Sequence, residues 1–213
     1  MTAERSQRPK QPSSQSTSPF TVGVTGGIGS GKTSVTEFFS SKGIDIVDAD
    51  IASRVVIEPG KPALSDIKRR YGSKILLDGN LDRRRLRTII FEDADERQWL
   101  EGLLHPLILD QIILELTRAE SNYAVLVSPL MLETSQHELV DRVLVVDVPE
   151  SIQLARAMAR DQMTEKQARQ ILNSQMERQK RVARADDIVD NSGSISQLHR
   201  SLEQLHEFYL SLA

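Results

Sequence analysis

The chain of 213 residues contains no cysteine. Disulfides, thiolate catalysis and cysteine-ligated metals are therefore excluded. No apolar run reaches the length that crosses a membrane, so a membrane partner is not expected. There is no excess of positive charge: 27 Lys and Arg stand against 30 Asp and Glu, for a net charge near −3. Broad attraction to nucleic acid is not favoured at that balance. No His pair or cluster has metal-ligand spacing, and no internal repeat is visible. What remains, with 39% hydrophobic and 27% charged residues, is the composition of an ordinary globular protein. Its length suits one substantial core with an insertion.

Residues 1–19 differ from the rest. Ser, Gln, Pro and Thr dominate and apolar residues are nearly missing. Such a stretch cannot bury enough surface to fold and lacks the apolar centre of a secretory signal, so it is expected to be a disordered tail. Pro9-Lys10-Gln11-Pro12 fits P-x-x-P, but in a tail so biased the pattern carries little weight.

The most informative stretch is Gly26-Gly27-Ile28-Gly29-Ser30-Gly31-Lys32-Thr33. It fits G-x-x-x-x-G-K-[ST], whose glycines let backbone N–H groups turn toward phosphate oxygens. Phe20 to Thr25 before it reads as a buried strand. Val35, Phe38 and Phe39 after it fall on one face of a helix, and Gly43 suits the helix end. The new helix presents its positive end to the same anion. Lys32 can reach the β- and γ-phosphates, and the Thr33 hydroxyl can ligate Mg²⁺. A nucleotide with Mg²⁺ is thus the expected ligand of this loop.

Ile44-Asp45-Ile46-Val47 reads as a second strand running into Asp48-Ala49-Asp50. Strand, crossover helix and strand make a βαβ unit and hence a parallel sheet. Residues 59–104 are expected to be a helical insertion, striped by Leu86, Ile89 and Ile90 and by Trp99, Leu100, Leu103 and Leu104. Pro106 is expected to open the next helix. Tyr123 to Val127 and Arg142 to Val148 are near-continuous apolar runs, as in central strands covered on both faces. A basic helical stretch over 151–184 follows, then a short strand at Ile188-Val189 and a closing amphipathic helix striped by Leu198, Leu202, Leu205 and Tyr209. The fold class is therefore α/β, a central parallel sheet flanked by helices. Its core spans 20–58 and 105–213, with a helical lid at about 151–184.

Asp48 and Asp50 sit where ligands gather on such sheets, at a strand's carboxyl end. One is suited to take a proton from an attacking hydroxyl or to hold Mg²⁺, a role read first for Asp50; the competing reading, a cap of the helix that starts near Ile51, stands level with it for Asp48. Arg83, Arg84, Arg85 and Arg87 form a basic run, of which Arg83 is the candidate to clamp an anion, at least two of the four reading as a solvated face. Arg156 and Arg160 share a helix face by their i, i+4 spacing. Together with Arg169 they suit a lid that carries arginines over phosphates.

These segments in this order resemble the dephospho-CoA kinase family. The likeness rests on Thr25 to Thr33, Asp48-Ala49-Asp50, Leu104-His105-Pro106-Leu107-Ile108, Pro129-Leu130, Val143 to Asp147, Ala185-Asp186-Asp187 and Asp190-Asn191. It implies a P-loop kinase core, a helical domain for the CoA-type substrate and a mobile lid. It implies transfer of a phosphoryl group from ATP to the ribose 3′-hydroxyl of dephospho-CoA, the last step of coenzyme A synthesis, in the cytoplasm. On this resemblance Gly27, Ile28, Gly29, Ser30, Gly31, Lys32 and Thr33 bind ATP, with Asn191 near the adenine. Thr33 and Asp50 hold Mg²⁺. Asp50, Lys32, Arg156 and Arg160 serve catalysis, and Asp48, Arg83 and His105 meet dephospho-CoA. Thr33 stands where Ser is common, and Ser128-Pro129-Leu130-Met131 varies a usual apolar stretch.

Two other readings fit the core alone. One is another small P-loop kinase, acting on a nucleoside monophosphate or a sugar acid. The other is a GTPase-type switch, against which the chain has no Asn-Lys dipeptide of the kind that selects guanine.

Overall fold

The computed structural model describes residues 19–213; the expected tail and its P-x-x-P lie almost wholly outside them. Five strands form one all-parallel sheet: β1 (Phe20–Thr25), β2 (Asp45–Asp48), β5 (Tyr123–Val127), β6 (Arg142–Asp147) and β7 (Asp187–Asp190). Two-residue strands β3 (Leu76–Leu77) and β4 (Asn80–Leu81) form a separate hairpin. The large sheet has the order β2-β5-β1-β6-β7. From β1 the chain crosses to the edge at β2, works back inward to β5 beside β1, then passes β1 to fill the other side with β6 and β7. The connections leaving the neighbouring strands β1 and β5 run in opposite directions, and the crevice beyond their carboxyl ends is where such sheets bind ligands.

The apolar runs follow from two-sided burial. Tyr123, Val125 and Val127 of β5 join one core cluster; Ala124 and Leu126, pointing the other way, join the second. The first cluster is closed by α1 (Lys32–Ser41) and α9 (Ile195–Leu210). Phe39 is fully buried there, 6.2 Å from the ring centres of both Tyr123 and Tyr209. Truncating such a ring typically costs about 3–5 kcal/mol. The second cluster is covered by α2 (Ala49–Val55) and the carboxyl half of α5 (Ala94–Thr117).

The insertion has its own core. Val56, Ile57, Ala63, Ile67, Ile75, Leu86 and Leu100 pack together from α2's end, α3 (Pro62–Tyr71), α4 (Arg83–Glu92) and α5. The hairpin within it turns through Asp78 and Gly79, both at positive φ (49° and 80°). That is the Asp-Gly turn whose twist matches paired strands, here read from sequence only as punctuation.

Two helix boundaries differ from expectation. Pro106 does not open a helix; it lies inside α5, which runs 24 residues without a break. A proline there forfeits one backbone hydrogen bond. The helix persists because Leu100 is buried in the insertion and Ile112 and Leu116 under the sheet. The stretch over 151–184 is three helices: α6 (Glu150–Asp161), α7 (Glu165–Ser174) and α8 (Arg178–Val182). Gln162 breaks the first in a left-handed conformation (φ 51°), and Thr164 starts the second with a capping box to Gln167.

Candidate active site

The loop from Gly26 to Gly31 joins β1 to α1 directly over the crevice. Gly31, at φ 90°, precedes the helix, and no side chain caps its first amides. Those N–H groups and the helix dipole are left for an anionic ligand. The glycines are required by neighbours as well as by φ. A Cβ on Gly29, itself at φ 66°, would stand 2.5 Å from the backbone oxygen of Gln153, and one on Gly31 would strike the Asn191 amide.

Lys32 folds back over the loop. Its ammonium donates to the Gly26 carbonyl at 2.8 Å and the Gly27 carbonyl at 3.1 Å. Burial, then the positive charge of Arg181, lowers its pKa to about 8, with Asp50 opposing. An ammonium so destabilised gains most when phosphate charge arrives.

The two candidate aspartates take different roles. Asp48 ends β2 and caps α2: its Oδ1 accepts the Asp50 N–H at 2.7 Å and the Ile51 N–H at 3.2 Å. Asp50 lies in the first turn of α2 with no capping duty. Two residues apart, the pair would point one way from an extended chain; here it does not, because the helix starts between them. Burial, then the Asp48 charge, pushes the Asp50 carboxyl above its ordinary value, with Arg54 and Lys32 opposing. A raised carboxylate is a stronger base.

Two clefts meet at Asp50. The first is lined by Ile28, Gly29, Lys32, Thr33, Asp48, Arg160 and Gln175 among others; it opens onto the glycine loop and is termed the phosphate cleft after that motif. The second, beside it, is lined by Asp50, Ser53, His105, Ser128, Glu133 and neighbouring residues of α5 and the loop after β5. Asp50 and Pro129 line both. His105 thus reaches the site from mid-α5, a consequence of the helix running through Pro106.

Arg156 donates to the backbone oxygen of Asn191 at 2.9 Å, and Asn191 donates to Ser30 at 2.8 Å. Arg160 points to the phosphate cleft and pairs only with exposed Asp161. Arg169 pairs with Glu165 on the surface. Arg83 stands exposed at the start of α4 and lines neither cleft.

Three residues beneath and beside the loop carry no sequence signal. Gln153, 1% exposed, donates to Val148 and leaves its Oε1 without a partner among the described residues. Arg181, 5% exposed, donates to Met176. A Cβ on Gly27 would meet both. Gln175 accepts the Ile28 N–H at 2.8 Å.

A family model described as dephospho-CoA kinase matches residues 20–197. Dephospho-CoA kinase from Shewanella oneidensis is 46% identical over 197 residues, 92% of this chain and 96% of that one. The protein of the same name from Yersinia pseudotuberculosis is 50% identical over 195 residues, 91% and 95% of the two chains. Among solved structures, TT1252 from Thermus thermophilus superposes with a TM-score of 0.79 at 28% identity, covering 89% of this chain and 97% of that one. Dephospho-CoA kinase from Campylobacter jejuni does so with a TM-score of 0.67 at 26% identity, covering 90% and 97%.

Proposed function

This chain belongs to the dephospho-CoA kinase family and is a phosphotransferase acting on dephospho-CoA; we propose that the transfer from ATP to the ribose 3′-hydroxyl occurs where the two clefts meet, at Asp50. The observation that carries this reading is the presence of one raised carboxyl in the wall of both clefts. A nucleophile bound in the second cleft and a phosphate bound in the first would both lie within its reach.

The residues divide the work as follows. The backbone amides of Gly29, Gly31, Lys32 and Thr33 and the Lys32 ammonium hold the phosphates, while the Ile28 and Ser30 amides stay bonded to Gln175 and Gly27. Arg160 adds charge from the lid, and Arg156 with Asn191 borders the loop on the nucleotide side. The hydroxyl oxygen attacks the γ-phosphorus, the bond to the bridging oxygen of ADP breaks, and the hydroxyl proton passes to Asp50. His105 belongs to the acceptor side; Asp48, which caps α2 and lines the first cleft, would meet the acceptor only where the two clefts join. Arg83, exposed on α4, would join them only through a movement of the insertion, residues 59–104, which we assign to substrate binding; 151–184 is assigned to the lid.

The site suits Mg²⁺. Thr33 offers an exposed hydroxyl and Asp50 a carboxylate in one cleft. Among the described residues no group of three or more His, Asp or Glu gathers as a metal cage. A cation held here would draw most of its ligands from phosphate and water, as Mg²⁺ commonly does. When bound it neutralises charge on the phosphates. No helix among the described residues is long and apolar enough to cross a membrane, and a cytoplasmic site, with access to ATP, completes the reading.

The test is ADP release with dephospho-CoA, AMP or shikimate as acceptor. Turnover is expected with dephospho-CoA and Mg²⁺ and little with the others. Equal or faster turnover of AMP would transfer the assignment to a monophosphate kinase.

A further inference from the structure

Gln175 sits between α7 and α8, outside every motif, yet its side chain lies against the phosphate loop. Its Oε1 accepts the Ile28 N–H at 2.8 Å. Its amide nitrogen has no hydrogen bond to the described residues, and the side chain lines the cleft that holds Lys32, Thr33, Asp50 and Arg160.

The backbone around Gln175 is pinned. Its own N–H meets the Leu172 carbonyl at the end of α7. The next residue, Met176, donates to Glu133 Oε1 at 2.9 Å and accepts from Arg181 Nη1 at 3.0 Å. Glu133 belongs to the loop after β5, and Arg181 is buried under Gly27. Gln175 is therefore anchored to the sheet and loop rather than carried on the free part of the lid.

An amide whose oxygen is held by a loop N–H has its N–H₂ group left over as a donor. We propose that Gln175 is a catalytic residue of the phosphoryl transfer, donating a hydrogen bond to an oxygen of the transferred phosphoryl group. The inference rests on the ATP-dependent reading above. The chemistry is unchanged: the acceptor oxygen bonds to phosphorus, ADP leaves, and the proton goes to Asp50. Gln175 neither gains nor loses a proton. Charge spreads over the phosphoryl oxygens as the bonds exchange, and a fixed neutral donor needs no reorganisation to meet it. Loss of one such donor typically costs about 10²–10³-fold in kcat.

Gln175→Glu separates this role from a simple tether. Glutamate keeps an oxygen for the Ile28 N–H, removes the donor and adds a negative charge. Gln175→Ala removes both functions. The measurements are kcat with dephospho-CoA, ATP and ADP affinity without it, and the melting temperature. A donor to the γ-phosphoryl predicts that Gln175→Glu lowers kcat by about 10²-fold. It also predicts weaker ATP binding relative to ADP and an unchanged melting temperature. Near-normal kinetics in Gln175→Glu with a damaged Gln175→Ala would make Gln175 a tether and overturn the proposal, as would near-normal kinetics in both. A wild-type protein inactive on dephospho-CoA would overturn the substrate reading instead; the ATP-to-ADP preference of Gln175→Glu would still decide the role of Gln175.

Discussion

The side-chain amide of Asn191 donates to the backbone oxygen of Ser30 at 2.8 Å, joining residues 161 apart in sequence. Asn191 follows the last strand and is 8% exposed. Its own backbone oxygen accepts from Arg156 on α6. One asparagine thus ties the phosphate loop to the first lid helix and to the far edge of the sheet. Asn191→Ala is expected to remove the tie to Ser30 and leave that carbonyl short of a partner. Stability should fall by about 1–3 kcal/mol, and the KM for ATP should rise more than kcat falls. Chemical denaturation and steady-state kinetics check both.

Lys32→Met keeps the length of the side chain and removes its charge. A loss of roughly 10²-fold or more in kcat/KM is expected, with little effect on folding. The wild-type ammonium, with its pKa lowered to about 8, loses its proton well below the ordinary lysine range. Bound phosphates favour the charged form, so above about pH 8 ATP binding should take up protons and weaken as pH rises. Calorimetry at pH 9 in buffers of different ionisation enthalpy would detect up to about one proton per ATP; Lys32→Met should abolish the uptake. The unfolded chain holds this proton up to the usual lysine value, so the cost of burying the ammonium is full below about pH 8. It is relieved as pH rises from there toward 10.5.

Asp50→Asn should lower kcat by about 10²–10⁴-fold while ATP affinity and melting temperature change little, because Asp50 caps nothing. Normal kcat in this variant would remove the proposed base.

Asp48 acts on stability and on its neighbour. Asp48→Ala should cost about 0.5–2 kcal/mol by uncapping α2. Asp48→Asn should keep the cap. It also removes a charge that raises the Asp50 pKa. The acid limb of the kcat/KM profile should then move to lower pH, and an unmoved limb would show that Asp50 is not the titrating base.

Arg160→Ala should reduce turnover with almost no change in melting temperature, since an exposed pair such as Arg160–Asp161 is worth about 0–1 kcal/mol. Arg156→Ala should lower both, because Arg156 also holds the Asn191 backbone. If Arg160→Ala lowers the melting temperature and spares the activity of the fraction that remains folded, that arginine is structural.

The phosphate loop, its strand and its helix were legible because their determinants are local. Glycine at positive φ, a lysine at a helix start and apolar spacing of 3.6 are properties of consecutive residues. The two-sided burial of β5 and β6 was equally plain, since a strand covered on both faces has nowhere to put a polar side chain. Asp50 was visible as half of an aspartate pair, but the pair could be divided into cap and candidate base only once the start of α2 was set between them.

What the tertiary structure decided are the relationships that cross the chain. Pro106 stays inside a helix because two separate cores bury the halves of α5. His105 reaches the second cleft for the same reason. Gln153, Arg181 and Gln175 surround the loop from a region that, read by itself, shows only a basic helical pattern. Periodicity describes which face of a helix is apolar; it carries no information on which distant backbone a buried polar group will meet. That meeting is set by the packing of α6, α7 and α8 against the sheet, which brings these side chains up to the backbone of the loop.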